Sequence, residues 1–163
     1  MPYGNEKEMY PDIKEWLLNL LKSEYKKYDI KVYDTHAQIL SKFLVQKNFH
    51  IYFPDFQSYE IKVDITGVII KGDTAKLAFV ECKLRPITLR DISQLIGYSK
   101  VANPIKAIIL SPEDVSDPVS YLFRTLRRYD ILAYNKNKVI IGRWDENRKE
   151  LITTSIIPKG EIP

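Results

Sequence analysis

The segment that most constrains the fold of this chain is Tyr59 to Leu84, YEIKVDITGVIIKGDTAKLAFVECKL. Two runs rich in β-branched residues flank the dipeptide Gly72-Asp73. A Gly-Asp pair between such runs predicts a β-hairpin with a two-residue type II′ turn, because glycine readily adopts the positive φ needed at the first turn position. A turn of this length fixes which residues of the two strands face each other.

The predicted register places Asp64 directly opposite Glu81, with Lys83 on the same face of the sheet. Apolar residues flank these charges on both faces: Val68, Ile70, Leu77 and Phe79 on the charged face, and Ile61, Val63, Ile65, Ala78, Val80 and Leu84 on the other. Strands that are apolar on both faces are normally central and covered on both sides. Facing carboxylates repel each other, and buried charges are costly unless they are paired or bind a metal.

A divalent cation would resolve this conflict, since Mg²⁺ commonly takes one or two carboxylates together with waters and phosphate oxygens. We therefore expect Mg²⁺, or Mn²⁺, to bind Asp64 and Glu81, with the backbone carbonyl of Cys82 as a further ligand. Such a cation activates water as a nucleophile, and Lys83 would assist that nucleophile or stabilise charge on a phosphate. The alternative is a buried ion-pair cluster in a protein without catalytic activity.

Asp64 followed by Glu81-Cys82-Lys83 resembles the D…(D/E)xK signature of the PD-(D/E)XK nuclease superfamily, although Ile65 replaces a second motif residue and no proline precedes Asp64. The resemblance implies an α/β fold with a restriction-endonuclease-like αβββαβ core, whose central mixed sheet is flanked by helices. It also implies Mg²⁺-dependent hydrolysis of nucleic-acid phosphodiesters, with DNA as the expected partner. Pro54-Asp55 is a second candidate for the first motif, but it lies outside the hairpin.

Glu6 is a further candidate catalytic residue. Helical spacing predicts a helix over residues 5–28, and Glu6 shares its buried stripe with Met9, Tyr10 and Ile13. An acid at this place resembles the N-terminal glutamate of archaeal Holliday-junction resolvases. The alternative is a solvated acid at the start of a helix, where the helix dipole favours it.

Gln94 and Tyr98 are one helical turn apart on the helix predicted after the Glu81 strand. The pair resembles the QxxxY motif of RecB-like exonucleases, which implies that Gln94 supports catalysis and that Tyr98 contacts nucleic acid. A Gln/Tyr pair at this spacing is also common by chance. The single cysteine excludes a four-cysteine iron-sulfur site built from this chain alone.

The net charge of +4 permits an anionic partner without requiring one. We expect Arg85 and Arg90, near the acidic end of the hairpin, to bind nucleic acid. Arg124, Arg127 and Arg128 form either a second phosphate-binding patch or the solvated face of a helix.

The remaining pattern predicts one nuclease-like domain over residues 1–157 and a frayed tail over 158–163. Predicted helices cover 37–46, 89–102 and 116–129, and predicted strands cover 29–35, 49–53, 106–110, 131–134, 139–144 and 151–157. Without a membrane-spanning run or a signal-peptide pattern, we expect a cytoplasmic protein with no membrane partner, acting alone, as a homodimer or in a larger complex. The alternative function is a catalytically inactive nuclease-fold module for nucleic-acid binding or assembly.

Overall fold

The computed structural model describes residues 3–163, which form a mixed α/β fold. The helices are α1 (Tyr10–Glu24), α2 (Leu40–Gln46), α3 (Leu89–Ala102) and α4 (Asp117–Ser120). The strands are β1 (Asp29–Asp34), β2 (Ile65–Lys71), β3 (Thr74–Cys82), β4 (Lys106–Ser111), β5 (Ala133–Tyr134), β6 (Asn137–Lys138), β7 (Ile140–Asp145) and β8 (Glu150–Ile157). Within residues 3–163, no helix is both long enough and apolar enough to cross a lipid bilayer.

Six strands form one mixed sheet in the order β1-β2-β3-β4-β7-β8, and β5 pairs with β6 in a separate hairpin. β2 is antiparallel to both of its neighbours, β1 and β3, whereas β4 is parallel to β3, as the predicted strand–helix–strand order requires. β7 is parallel to β4, and β8 returns antiparallel at the edge. The carboxyl ends of β3, β4 and β7 therefore lie at the same end of the sheet.

The β2–β3 hairpin has the predicted register. Lys71 pairs with Thr74 and Ile65 pairs with Val80. Gly72 has a φ of +61°, and Asp73 is not among the residues with positive φ, which matches a type II′ turn. The sequence therefore predicts the pairing of these two strands correctly.

The first strand of the hairpin is shorter than predicted, because β2 begins at Ile65 rather than at Tyr59. The preceding backbone bonds to the first turn of α2 instead: the carbonyl of Ile61 accepts from Leu40 N, and that of Tyr59 from Ser41 N. The chain then bends at Asp64. Ile61 and Val63 consequently pack on the same face as Val68, and their predicted position on the opposite face is wrong.

Each face of the sheet has its own apolar core. α1 covers one face with Ile13, Leu17 and Leu21, packed against Ile69, Ala78, Val80 and Ile108. The other face is covered by α2, α3 and the segment after α4, through Phe43, Leu95 and Phe123, packed against Val68, Phe79 and Ile109. Helices on both faces explain why the central strands are apolar on both sides.

The N-terminal helix is shorter than predicted at both ends. The Asn5/Glu8 capping box is present, but it begins a 3-10 turn over Glu6–Met9, and α1 itself starts at Tyr10 with Pro11 in its first turn. Proline is tolerated there because the first N–H groups of a helix have no intrahelical partner. The Thr88/Asp91 capping box of α3 is also present, and α3 has the predicted bounds.

The predicted helix over 116–129 ends earlier than predicted and is only partly α-helical. α4 continues as a π-helix over Tyr121–Thr125, and Arg127 then adopts a φ of +53°. The predicted strand over 49–53 is wrong, because His50–Tyr52 is a 3-10 turn. Residues 131–134 form only the short strand β5 after another 3-10 turn, Tyr129–Leu132.

The pairing of β7 with β8 contains an irregularity. Ile141 pairs with Ile157 and Arg143 pairs with Ile152, so two residue steps along β7 correspond to five along β8. The three extra residues of β8 form a bulge. In this bulge, Ser155 Oγ accepts the Arg143 N–H at 2.8 Å.

Gly67 and Gly97 differ in the space around them, so we predict that replacing each with alanine has opposite effects on stability. A Cβ on Gly67 in β2 would lie 2.8 Å from Leu21 Cδ1 in the packed α1 interface, whereas a Cβ on Gly97 in α3 would meet no atom within 4 Å. We expect Gly67→Ala to destabilise the protein by about 1–3 kcal/mol through overpacking. We expect Gly97→Ala to stabilise it by about 0.5–1 kcal/mol through helix propensity. Urea unfolding of both variants tests this; equal effects would show that α1 adjusts freely on the sheet.

Candidate active site

Asp64 and Glu81 are joined by hydrogen bonds at the end of the β2–β3 hairpin. The Asp64 N–H donates to Glu81 Oε1 at 2.9 Å, and the Cys82 N–H donates to Asp64 Oδ2 at 2.8 Å. The Tyr10 hydroxyl, from the first turn of α1, donates to Asp64 Oδ1 at 2.8 Å. The structure therefore brings the two predicted carboxylates together and holds Asp64 in a defined orientation.

Ionisation of the two carboxylic acids is unfavourable in this position. Glu81 is 8% exposed, and burial together with the Asp64 charge raises its pKa to about 8. Burial also raises the pKa of Asp64, although its hydrogen bonds from Cys82 N and the Tyr10 hydroxyl oppose that change. Additional positive charge at this site would favour the ionised form of both groups.

Lys83 lies beside the carboxylates and is held by a third acid. Its side chain is 18% exposed, and Nζ is 3.9 Å from Asp91 Oδ1. Arg85 also binds Asp91, with Nη1 2.7 Å from Oδ2 and Nη2 2.8 Å from Oδ1. Burial would raise the pKa of Asp91, but the Arg85 guanidinium and the N–H and hydroxyl of Thr88 lower it to about 2. Asp91 therefore stays ionised and anchors both basic side chains.

Glu6 approaches the same cluster from the 3-10 turn before α1. It is partly buried, and burial raises its pKa; the Lys83 charge opposes this shift, while the Asp64 charge adds to it. Glu6 thus lies within electrostatic range of both residues, as its predicted position on the buried side requires. Its catalytic role stays a prediction.

Three residues of the cluster were missed by sequence reasoning as site residues: Tyr10, His36 and Asp91. The His36 ring lies 5.1 Å from the Tyr10 ring and its Nδ1 is hydrogen-bonded to Asp34. A positive charge on His36 would lower the pKa of Asp64. The position of Tyr10 four residues after Glu6 was a usable signal, whereas nothing local connects His36 with Asp64.

Other predicted site residues make no recorded bond to the carboxylates. Gln94 and Arg90 are exposed on α3, and neither forms a side-chain hydrogen bond with another described residue. Tyr98 is partly buried and packs against the core on the α3 face. The Cys82 thiol is buried in the core on the opposite face, as predicted, and the role of its carbonyl stays a prediction. Asp55 accepts a hydrogen bond from the Tyr59 hydroxyl and takes no part in the cluster.

The donor set fits a hard divalent cation that keeps most of its waters. Within residues 3–163, no three carboxylate, imidazole or thiol side chains converge as a complete cage. Mg²⁺ does not require one, because it is usually held by one or two carboxylates with water and phosphate oxygens. Glu81 Oε2 accepts no hydrogen bond from the described residues, so it remains available to a cation.

Comparison of the chain with protein-family models, curated proteins and solved structures gives no match.

The raised pKa of Glu81 predicts that stability falls with rising pH. Between its ordinary value of 4.5 and about 8, the folded protein keeps a proton that the unfolded chain has lost. The free energy of unfolding should therefore decrease by up to about 1.4 kcal/mol per pH unit in that range. Glu81→Gln should flatten this dependence and be the more stable protein at pH 8 without metal. Thermal unfolding in EDTA across this range tests it, and an unchanged slope in the variant would contradict it.

Proposed function

We propose that this protein is a metal-dependent nuclease that hydrolyses nucleic-acid phosphodiester bonds, with DNA as the preferred substrate. The observation that carries the proposal is the Asp64–Glu81 pair, with raised pKa values, near the partly buried ammonium of Lys83. The protein keeps two carboxylates close together although their ionisation is unfavourable, and a positive charge lies near them. This arrangement is suited to binding a cation and a phosphate.

The architecture supports this proposal. Along the chain, α1, β1, β2, β3, α3 and β4 follow one another, with the short α2 between β1 and β2. Apart from α2, this order is compatible with the αβββαβ core that the resemblance implies. The acids lie where β2 begins and β3 ends, as in the D…(D/E)xK pattern.

Each residue of the site has a distinct part in the proposed reaction. Asp64 and Glu81 would hold Mg²⁺ or Mn²⁺, and the Tyr10 hydroxyl and Cys82 N–H fix the Asp64 carboxylate. When bound, the cation supplies the Lewis acidity that makes water nucleophilic and neutralises charge on the phosphate. Lys83 would stabilise the negative charge that develops on the phosphate, from a position fixed by Asp91.

The flanking residues would position the substrate. Arg85 presents a guanidinium beside Lys83, and its pairing with Asp91 leaves donors for a phosphate oxygen. Arg90 and Gln94 are exposed on α3, where they would contact a nucleic-acid strand that crosses the carboxyl end of β3. Glu6 would add negative charge near Asp64 and Lys83.

We expect Asp64→Asn and Glu81→Gln each to reduce Mg²⁺-dependent cleavage at least about 100-fold, because each removes a negative ligand from the cation. The assay uses labelled duplexes, single strands and four-way junctions, each with Mg²⁺, Mn²⁺ or EDTA. Asp55→Asn is the matched control: it makes the same change at the competing Pro54-Asp55 position and should leave cleavage unaltered.

Circular dichroism and thermal unfolding separate loss of catalysis from loss of fold. Both site variants should stay folded, since each removes a charge that the folded state accommodates poorly. If Asp64→Asn unfolds, the pair is structural. If the folded wild type cleaves no substrate with either metal, the protein is the inactive binding or assembly module.

Metal binding can be measured without catalysis. At pH 8, saturating Mn²⁺ at about 100 times its dissociation constant should stabilise the wild type by about 2.7 kcal/mol, or about 5–10 °C in Tm. Glu81→Gln should abolish this shift. Lys83→Gln should retain the shift but lose cleavage, because Lys83 acts on the phosphate rather than on the cation. If Lys83→Gln abolishes the Mn²⁺-dependent shift in Tm and Glu81→Gln retains it, these roles are contradicted.

A further inference from the structure

A cavity of about 500 Å³ lies between the π-helical segment Tyr121–Thr125 and β8. Its basic lining residues are Arg124, Arg127 and Lys159, and none of its described lining residues is acidic. The volume is within the range of small-ligand sites in proteins, about 300–1,000 Å³. Three basic side chains around one concave surface favour an anionic ligand.

The backbone that presents Arg127 is unusual. π-helical turns are rare and often occur at functional sites, and this one ends two residues before Arg127. Arg127 has a left-handed φ of +53°, a conformation that is unfavourable for residues other than glycine and asparagine. Strained backbone of this kind is often found at binding sites, which favours a role for the Arg127 side chain.

The bulge of β8 forms the opposite wall of the cavity. This wall is formed by Thr154, Ser155 and Ile157. The Arg143 N–H donates to Ser155 Oγ rather than to a backbone carbonyl of β8. Arg124 forms two bonds with Asp114, at 3.0 Å and 2.9 Å, so its guanidinium is fixed and partly neutralised. Arg127 and Lys159 form no ion pair with any other described residue. They therefore supply the uncompensated positive charge.

The cavity is aligned with the candidate active site across the sheet. Glu81 pairs with Ile109, Ile109 with Ile141, and Ile141 with Ile157. Residues paired in this way point to the same face, and Ile109, Ile141 and Ile157 belong to one core. Three strand spacings separate Glu81 from Ile157, which is about 14 Å.

We propose that this cavity binds a second backbone phosphate of the nucleic-acid strand whose scissile phosphodiester lies at Asp64 and Glu81. The inference rests on the proposed nuclease function and adds a second phosphate contact to it. The second contact fixes the direction in which that strand leaves the active site.

The test measures binding of a labelled oligonucleotide duplex in EDTA, so that catalysis plays no part. Arg127→Asn removes the charge while keeping a residue that tolerates left-handed backbone. Together with Lys159→Gln it should weaken binding about tenfold or more and lower the salt dependence of log K by about 1, because one phosphate contact is lost. Lys76→Gln is the matched control: this exposed lysine is at the other end of β3, and its loss should change affinity less than twofold.

Thermal unfolding controls for the fold, and Arg127→Asn should be at least as stable as the wild type because the backbone strain is relieved. With Mg²⁺, the double variant should show a raised KM and an unchanged kcat. Wild-type affinity in the double variant would overturn the inference while leaving the Asp64→Asn result intact. If inorganic phosphate raises the Tm of the wild type only, and oligonucleotide affinity is equal in both proteins, the cavity is a small-anion site and the inference also fails.

Discussion

The hydrogen bonds between Asp64 and the end of β3 are the interaction on which the site depends. The Asp64 N–H donates to the Glu81 carboxylate, and the Asp64 carboxylate accepts from the Cys82 N–H. These bonds continue the contact between the strands where the regular ladder stops. They also hold two mutually repelling carboxylates in place, because each acid accepts a backbone donor contributed by the other strand.

The first helix is part of the site as well as part of the core. Ile13, Leu17 and Leu21 bury one side of α1 against the sheet, and Tyr10 at its start binds Asp64. The 3-10 turn that precedes α1 carries Glu6 to the same place. Docking of this helix therefore couples the apolar packing of one face of the sheet to the orientation of an acid at its end.

The sequence was most informative where the interactions are local. The register of β2 and β3 follows from a two-residue turn and the alternation of side chains, and the Asn5/Glu8 and Thr88/Asp91 capping boxes are also correct. The start of β2 was not predictable, because the backbone before Asp64 bonds to residues 35–41 across a long loop. Helical spacing placed Tyr10 on the same stripe as Glu6, but no pattern connected Tyr10 with Asp64, which is 54 positions further along the chain. The π-helix and the left-handed Arg127 depart from the apolar periodicity that predicted a regular helix.

The bulge in β8 has a consequence for association between chains. An uninterrupted edge strand offers a row of free backbone groups to which a strand of another molecule can be added. In β8, three extra residues break the register and a serine side chain takes a place in the ladder. This edge therefore offers no long regular template, and the sheet is protected from pairing with another molecule along the longer of its two edge strands.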